Sequence, residues 1–330
     1  MSLRNLITDV AGLKVGHADD ATLGSGSTAI IFDEPAVASV DLRGGGPGTR
    51  ETELLAAERT VDRVDAITLS GGSAFGLDAA SGVQAWLREH GRGFAVGPAL
   101  VPIVPGAIVF DLLAGGNKDW GLHSPYRDLG YHAAAAAAED FALGSVGGGM
   151  GATVVNLKGG IGSASATTEE GHTVGALVIV NAVGAVTIGD GAHFWAAPFE
   201  RDGEFGARGW PAQFRANDLA FQTKGGARQA TTIALVATDA ILNTAQANRL
   251  AVMAQTGCAR AIYPVHTPLD GDTVFAAATG RKPLEDPLMS LTTLGSLAAN
   301  VLARAIARGV YEATALPFDG TLPSWRDKFA

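Results

Sequence analysis

The chain has a single cysteine, Cys258, in 330 residues, so it can hold no internal disulfide framework and no structural zinc site built from cysteines. That thiol reads as a small core residue. Also missing is any Lys/Arg-rich run: 24 basic residues face 33 acidic ones, for a net charge of −9, which argues against a phosphate-backbone partner and leaves small neutral or cationic ligands open. No nucleic-acid partner is expected. The opening MSLRNLITDVAGLKVGH lacks the long apolar core and cleavage site of a secretory signal. Apolar runs such as VGALVIV fall short of the roughly 20 residues a helix needs to span a bilayer. A cytoplasmic protein without a membrane partner is the expectation.

Several catalytic signatures are absent as well. There is no G-x-x-x-x-G-K-[ST] phosphate loop and no H-E-x-x-H; GGSAF at 71–75 puts Phe75 where G-x-S-x-G needs its last glycine. The GGGPGTRE run at 44–51 resembles a dinucleotide turn only superficially. The seven histidines, at 17, 90, 123, 132, 172, 193 and 266, show no metal-ligand spacing. Neither metal nor cofactor is expected.

What the chain does have is apolar residues (47%) and glycine (44 residues, in clusters such as GGGPG, GGGMG and KGGIG), the makings of a large core joined by tight turns. Short β-branched runs predict strands at 28–32, 66–70, 152–158, 175–181, 185–189 and 232–239. Many are apolar on both faces, which requires cover on both sides. Helical periodicity predicts helices at 49–62, at 76–90 up to Gly91, and in the alanine run 133–142. Asn243 can cap a helix that stops at Gly257, and Asp286-Pro287 opens a long one with Leu288, Leu291, Leu294, Leu297, Val301 and Leu302 on one face. Strands and helices come in blocks, which favours packed sheets covered by helices, an α/β (α+β) class. Residues 191–230 mix charge, Pro, Gly and isolated aromatics without a period and read as a long loop, a kind of segment that is commonly functional or cleavable.

Four features can carry chemistry. Thr231-Thr232 stands where the loose segment meets an apolar strand; cutting the 230–231 bond would give Thr231 a free α-amine of pKa about 7.7–8.0, near ideal for a general base. Thr is equally a common strand starter. In LDGDTVF, Asp270 and Asp272 would face one side if the chain is extended, though a turn uses Asp and Gly as readily. Lys158, ending ATVVNLK, could orient a nucleophile or merely snorkel. Asn181, ending GALVIVN, is an oxyanion-donor candidate and an equally good turn former.

These features sit within a wider likeness. The segments ITDVAGLKVGHA, VDLRGGGPGTRET, LSGGSAFGLDAASGVQAWL, PIVPGAIVFDL, LKGGIGSAS and DGDTVFAAATG together resemble the L-aminopeptidase/D-esterase (DmpA-like) self-processing peptidases, in the threonine branch with nylon-oligomer endo-hydrolases and a pantetheine hydrolase. The resemblance implies a four-layer αββα sandwich of the N-terminal-nucleophile-hydrolase type (the DmpA/ornithine acetyltransferase arrangement). It also implies one precursor cut at Ala230-Thr231 into fragments 1–230 and 231–330 of a single domain. Its catalytic set falls on Thr231, Lys158, Asn181, Asp270 and Asp272, acting on a small peptide or peptide-like amide. A homo-oligomer, with a tetramer among the options, is implied too. Relatives carry Asn or Gly before the nucleophile where Ala230 stands here. Endo-amidase activity on oligomeric amides, pantetheine-type hydrolysis, and an uncut non-catalytic binding protein are the rival readings.

Overall fold

A computed structural model describes residues 3–224 and 230–330; positions 225–229 of the expected loose segment lie outside the described residues. The strands are β1 (Leu13–Asp20), β2 (Ser25–Leu42), β3 (Thr49–Arg50), β4 (Arg63–Ser70), β5 (Phe94–Val96), β6 (Ala99–Val101) and β7 (Gly106–Ile108). Then come β8 (Ile161–Thr167), β9 (Thr173–Asn181), β10 (Thr231–Ala240) and β11 (Thr273–Lys282). The helices are α1 (Ala79–Glu89), α2 (Tyr126–Ala135), α3 (Thr244–Ala261), α4 (Pro287–Tyr311) and the short α5 (Trp325–Phe329).

Strand β2 explains how these make four layers. Its first half pairs with β1 and β4 and its last six residues with β11. The ladder to β4 is irregular between Ile31 and Ala36, where Asp33–Pro35 are exposed. Beyond β11 the order continues β10, β9, β8. Side-chain alternation then separates three cores. Ile30 and Phe32 of β2 meet Leu177, Leu235 and Phe275 in a core between the two sheet halves. Ala29 and Ile31 face Val83 and Leu87 of α1 and Ala133 of α2. On the far side Ala234 and Val236 of β10 meet Leu250 of α3 and Leu294, Leu302 and Ile306 of α4. The result is α1/α2, sheet, sheet, α3/α4, the expected αββα sandwich. Helix α4 is long and apolar enough to cross a bilayer, but here its apolar side covers the sheet.

The expected helix caps form. Asn243 Oδ1 accepts from Gln246 N at 2.9 Å while Gln246 returns a bond to Asn243 N, and Asp286 accepts from Leu288 N and Met289 N. Each such cap stabilises by about 1 kcal/mol. Helix α3 runs past Gly257 to Ala261, because that glycine serves close packing instead: a Cβ there would strike the Ala299 carbonyl of α4.

Other expectations need correction. Residues 49–62 hold only the two-residue β3 and a 3-10 turn at Thr52–Leu55, entered through Glu51 in the left-handed region. The alanine run stops being helical at Ala135, since Ala138 is drawn into two backbone hydrogen bonds with Val15. Runs 152–158 and 185–189 are not strands; they turn and make only isolated bridges, Thr153 to Lys158, Ala185 to Tyr263 and Thr187 to Phe194. Strands β1, β3, β5, β6, β7, β8 and β11 lie outside the predicted strand ranges. The loose segment is irregular over 191–224 apart from 3-10 turns at Ala197–Phe199 and Ala216–Leu219.

Candidate active site

Three strand ends converge. β10 and β11 run parallel and β9 antiparallel to them, so the starts of β10 and β11 and the end of β9 share one edge of the sheet. Thr231, first in β10, lies opposite Asn181, last in β9. Ala230 bridges to Asp270, just ahead of β11. Both threonines are buried, Thr231 being 4% exposed.

Two donors converge on the Ala230 carbonyl oxygen. Thr231 Oγ1 donates to it at 2.6 Å and Gly271 N at 3.0 Å. Gly271 sits between the two aspartates, and both carboxylates are anchored. Asp270 accepts from Thr267 N (2.9 Å), Thr267 Oγ1 (2.8 Å) and Val183 N (3.1 Å). Asp272 accepts from Thr232 N (2.8 Å), His266 N (3.1 Å) and His266 Nδ1 (2.8 Å). The Asp-Gly-Asp turn therefore holds the backbone on both sides of the 230–231 bond: the Asp272 carboxylate by a direct bond to Thr232, and the backbone of residues 269–271 by its bridge to Ala230. Burial, and then the charge of Asp272, raise the Asp270 pKa.

Lys158 ends no strand and does not snorkel. It is 1% exposed, and Nζ donates to the carbonyls of Gly149 (3.2 Å), Ala152 (2.8 Å) and Gly159 (2.7 Å). Burial pushes its pKa down to about 7, against the pull of Asp111. Three carbonyls consume all three N–H donors, which suits the ammonium form and leaves none for Thr231. Its link to Asn181 runs through Thr153, which bridges to Lys158 and donates its N–H to Asn181 Oδ1 at 3.0 Å.

Asp111 is a component that the sequence reading missed. Buried at 2% exposure, it accepts from Ser25 Oγ (2.6 Å) and Gly72 N (2.7 Å), and Tyr126 OH bonds Ser25 in turn at 3.0 Å. Burial raises its pKa, opposed by these bonds and by Lys118 and Lys158. Gly71 and Gly151 pack so closely on this carboxylate that a Cβ on either would strike it, which is one purpose for the glycine clusters. An aspartate directly behind the apolar AIVF was the available signal. His266, Gly271 and Lys224 were missed too.

Asp111, Thr153, Lys158, Lys224 and Asp319 line one cleft, which encloses about 660 Å³ of empty space with its open mouth included. Lys224 Nζ reaches Asn181 Oδ1 at 2.8 Å and Asn181 O at 3.2 Å, so the cleft adjoins the strand edge that carries Thr231. Among the described residues no three His, Cys, Asp or Glu side chains cluster as a metal site. The edge thus has the parts for acyl transfer: a hydroxyl against a polarised carbonyl, carboxylates and a cleft.

Comparison with known proteins agrees with this chemistry. The model of peptidase family S58 matches residues 5–321. An uncharacterised aminopeptidase of Mycobacterium tuberculosis (strain ATCC 25618 / H37Rv) is 46% identical over 346 aligned positions, covering 98% of each chain. A 6-aminohexanoate-oligomer endohydrolase of Kocuria sp. (strain KY2) is 28% identical over 316 positions, covering 90% of this chain and 84% of that one. Among solved structures, the L-aminopeptidase D-Ala-esterase/amidase of Ochrobactrum anthropi, described as a variant of the Ntn hydrolase fold, superposes with a TM-score of 0.73 at 21% identity, over 98% of this chain and 91% of that one. A Burkholderia sp. β-aminopeptidase gives 0.71 at 23% identity, over 99% and 94%. The fold is that of the Ntn-type aminopeptidases, and the chain belongs to peptidase family S58, as a hydrolase of peptide bonds of the aminopeptidase and amidase kind.

Proposed function

We propose that this hydrolase activates itself by cutting the Ala230–Thr231 bond and then uses Thr231 as an N-terminal nucleophile. The observation that carries this reading is the pair of donors on the Ala230 oxygen, Thr231 Oγ1 at 2.6 Å and Gly271 N at 3.0 Å. A hydroxyl already against its own preceding carbonyl is close to the carbon it must attack, and a backbone N–H on that oxygen stabilises the charge that develops there.

The steps follow in order. Thr231 Oγ1 bonds to the Ala230 carbonyl carbon and gives up its proton, with the Asp270–Asp272 pair the acceptor; burial and the neighbouring charge of Asp272 make Asp270 a stronger base than an ordinary aspartate. The C–N bond breaks, the nitrogen takes up the proton, and an ester replaces the amide. Water hydrolyses that ester, leaving a carboxylate on Ala230, the free hydroxyl of Thr231 and a free α-amine. That amine, with a pKa of about 7.7–8.0, then serves as base when Thr231 attacks a substrate amide to form an acyl-enzyme. Lys158, fixed among carbonyls beside Asp111, adds a buried positive charge to the cleft below its lowered pKa of about 7. Thr231, being β-branched, holds its hydroxyl in fewer rotamers than serine would.

Intact mass of the purified protein tests the first step. Two species, 1–230 and 231–330, are expected, and the smaller must begin TTIAL. A start at TIALV would move the nucleophile to Thr232, and a chain still whole after prolonged incubation would sink self-processing. Thr231→Ala should abolish both cutting and amide hydrolysis.

A further inference from the structure

We propose that the Asn181 oxygens form a binding site for the free ammonium of the substrate, and that in the uncut chain Lys224 fills this site in the substrate's place. The inference rests on the self-processing reading, because cutting is what frees the chain that carries Lys224 from its tie to Thr231.

The orientation of the Asn181 amide is fixed by two backbone groups. Thr153 N can only donate, and it lies 3.0 Å from Oδ1; the Phe110 carbonyl can only accept, and it lies 3.1 Å from Nδ2. Asn181 is 1% exposed, so neither partner is readily replaced by water. One of its two side-chain N–H donors is therefore held by the scaffold, and the atom that meets Lys224 at the cleft is an acceptor. An oxyanion has no use for an acceptor, whereas a primary ammonium does: Lys224 Nζ takes both Oδ1 at 2.8 Å and the Asn181 carbonyl oxygen at 3.2 Å. The same cleft holds the Asp111 carboxylate and, exposed at its rim, Asp319, which partly offset the lysines.

The position of this ammonium relative to the nucleophile gives it meaning. Asn181 and Thr231 are direct partners in the β9–β10 ladder, and directly opposed residues have Cα atoms about 4.5–5.5 Å apart with side chains on the same face. An amine held at Asn181 is thus within a few ångströms of the threonine. A substrate bound this way carries its free amine one or two carbons from the scissile carbonyl, as a short amino-acyl amide does. An interior bond of a longer oligomer has an acylated nitrogen there and leaves these acceptors without a cation. Lys224 lies six residues before Ala230, on the same side of the proposed cut, so cleavage removes its covalent tie to Thr231.

The test uses the uncut state directly. Thr231→Ala and the double variant Thr231→Ala/Lys224→Met are titrated with L-alaninamide and with N-acetyl-L-alaninamide by calorimetry. L-alaninamide should bind at least tenfold more tightly to the double variant, and the acetylated probe should gain nothing. Equal affinity of L-alaninamide for the two proteins, no binding to either, or the same gain for the acetylated probe would each overturn the proposal. Lys224→Gln provides a second variant should the Met side chain cause misfolding. Intact mass of the wild-type chain reports separately on processing, so an uncut wild type defeats the self-processing reading while the titration still decides the ammonium site.

Discussion

Thr231 and Gly271 converge on a single atom, the Ala230 carbonyl oxygen, one from the same strand start and the other from the Asp-Gly-Asp turn. Space for this is narrow. A Cβ on Gly271 would lie 2.6 Å from the Gly46 carbonyl oxygen and 2.8 Å from Thr231 Oγ1, whereas one on Gly46 would meet nothing closer than Asp270 O at 3.7 Å. Gly271→Ala should therefore push the N–H and the hydroxyl off the carbonyl and slow self-cleavage by about 10²-fold, the scale of losing one oxyanion donor. Gly46→Ala should leave it within a factor of a few. A time course of fragment appearance on gels for the two variants decides this; equal rates would reject the role of the Gly271 N–H.

The two reactions should differ in their dependence on pH. In the proposed mechanism self-cleavage needs an ionised carboxylate, and burial with the neighbouring charge of Asp272 raises the Asp270 pKa above its usual 3.8. Its rate should fall as pH drops through that raised value and be flat above it. Hydrolysis by the cut enzyme needs a neutral Thr231 amine, so kcat/KM should keep rising with pH until about 7.7–8.0. Precursor refolded across a pH series, compared with an amide assay on cut enzyme, measures both. A single shared acid limb would contradict two different bases.

How far the site was legible in the sequence depends on whether a residue's neighbours in space are also its neighbours in the chain. β10 was readable because TIALVATD is apolar on both faces and so had to lie between two cores. Thr231, Asp270, Asp272 and Asn181 stand at strand ends, where polarity breaks an apolar run. β8, IGSASAT, was invisible because Gly, Ala and Ser have little strand propensity; its Ser163 and Ser165 are chosen for buried hydrogen bonds to the Ala176 carbonyl and Asp9. Conversely, the β-branched ATVVN looked like a strand yet turns, so that Thr153 can meet both Asn181 and Lys158. Asp111 has its partners at positions 25, 72, 118 and 158, and no local pattern encodes a meeting of that kind. Lys224 lay in a stretch whose lack of periodicity hid its contact with Asn181.

Lys158 should matter to folding as much as to chemistry. Lys158→Met would strip the Gly149, Ala152 and Gly159 carbonyls of a shared donor and leave Asp111 without one of its positive neighbours. Leaving a buried polar group without its partner costs about 1–3 kcal/mol. The denaturation midpoint in urea should drop accordingly, and self-cleavage should fail even in protein that remains folded. Lys158→Arg should not rescue either property, because a planar guanidinium cannot address three carbonyls gathered around one nitrogen. Wild-type stability in the Met variant would mean that the three carbonyls find other partners.

A buried ionic latch should hold the two fragments together after cutting. Arg304, on the 231–330 side, reaches Glu204 through Nε (2.5 Å) and Nη2 (2.9 Å), the Ser165 carbonyl (2.8 Å) and Asn5 Oδ1 (2.8 Å), all on the 1–230 side. The side chains of Arg304 and Glu204 are 3% and 7% exposed. Burial alone would push Glu204 up, but the bonds from Arg304 and Asn5 outweigh it and hold the carboxyl below its ordinary 4.5. A carboxyl lowered by folding stabilises fully above that unfolded value, and the contribution is lost as pH falls through the lower folded one. Arg304→Met should therefore cost up to about 3–5 kcal/mol near neutral pH, reduced by what the remaining partners of Glu204, Arg308 Nε at 3.8 Å and Asn5 Nδ2 at 2.6 Å, still supply. The deficit against wild type should shrink as pH falls toward 4.5 and below it, because burial without Arg304 favours the protonated carboxyl in the variant. Urea titrations of the cut protein at pH 7 and pH 4, with fragment association followed by size-exclusion chromatography, measure this. A deficit independent of pH would mean that Arg304 acts through packing and not as a charge.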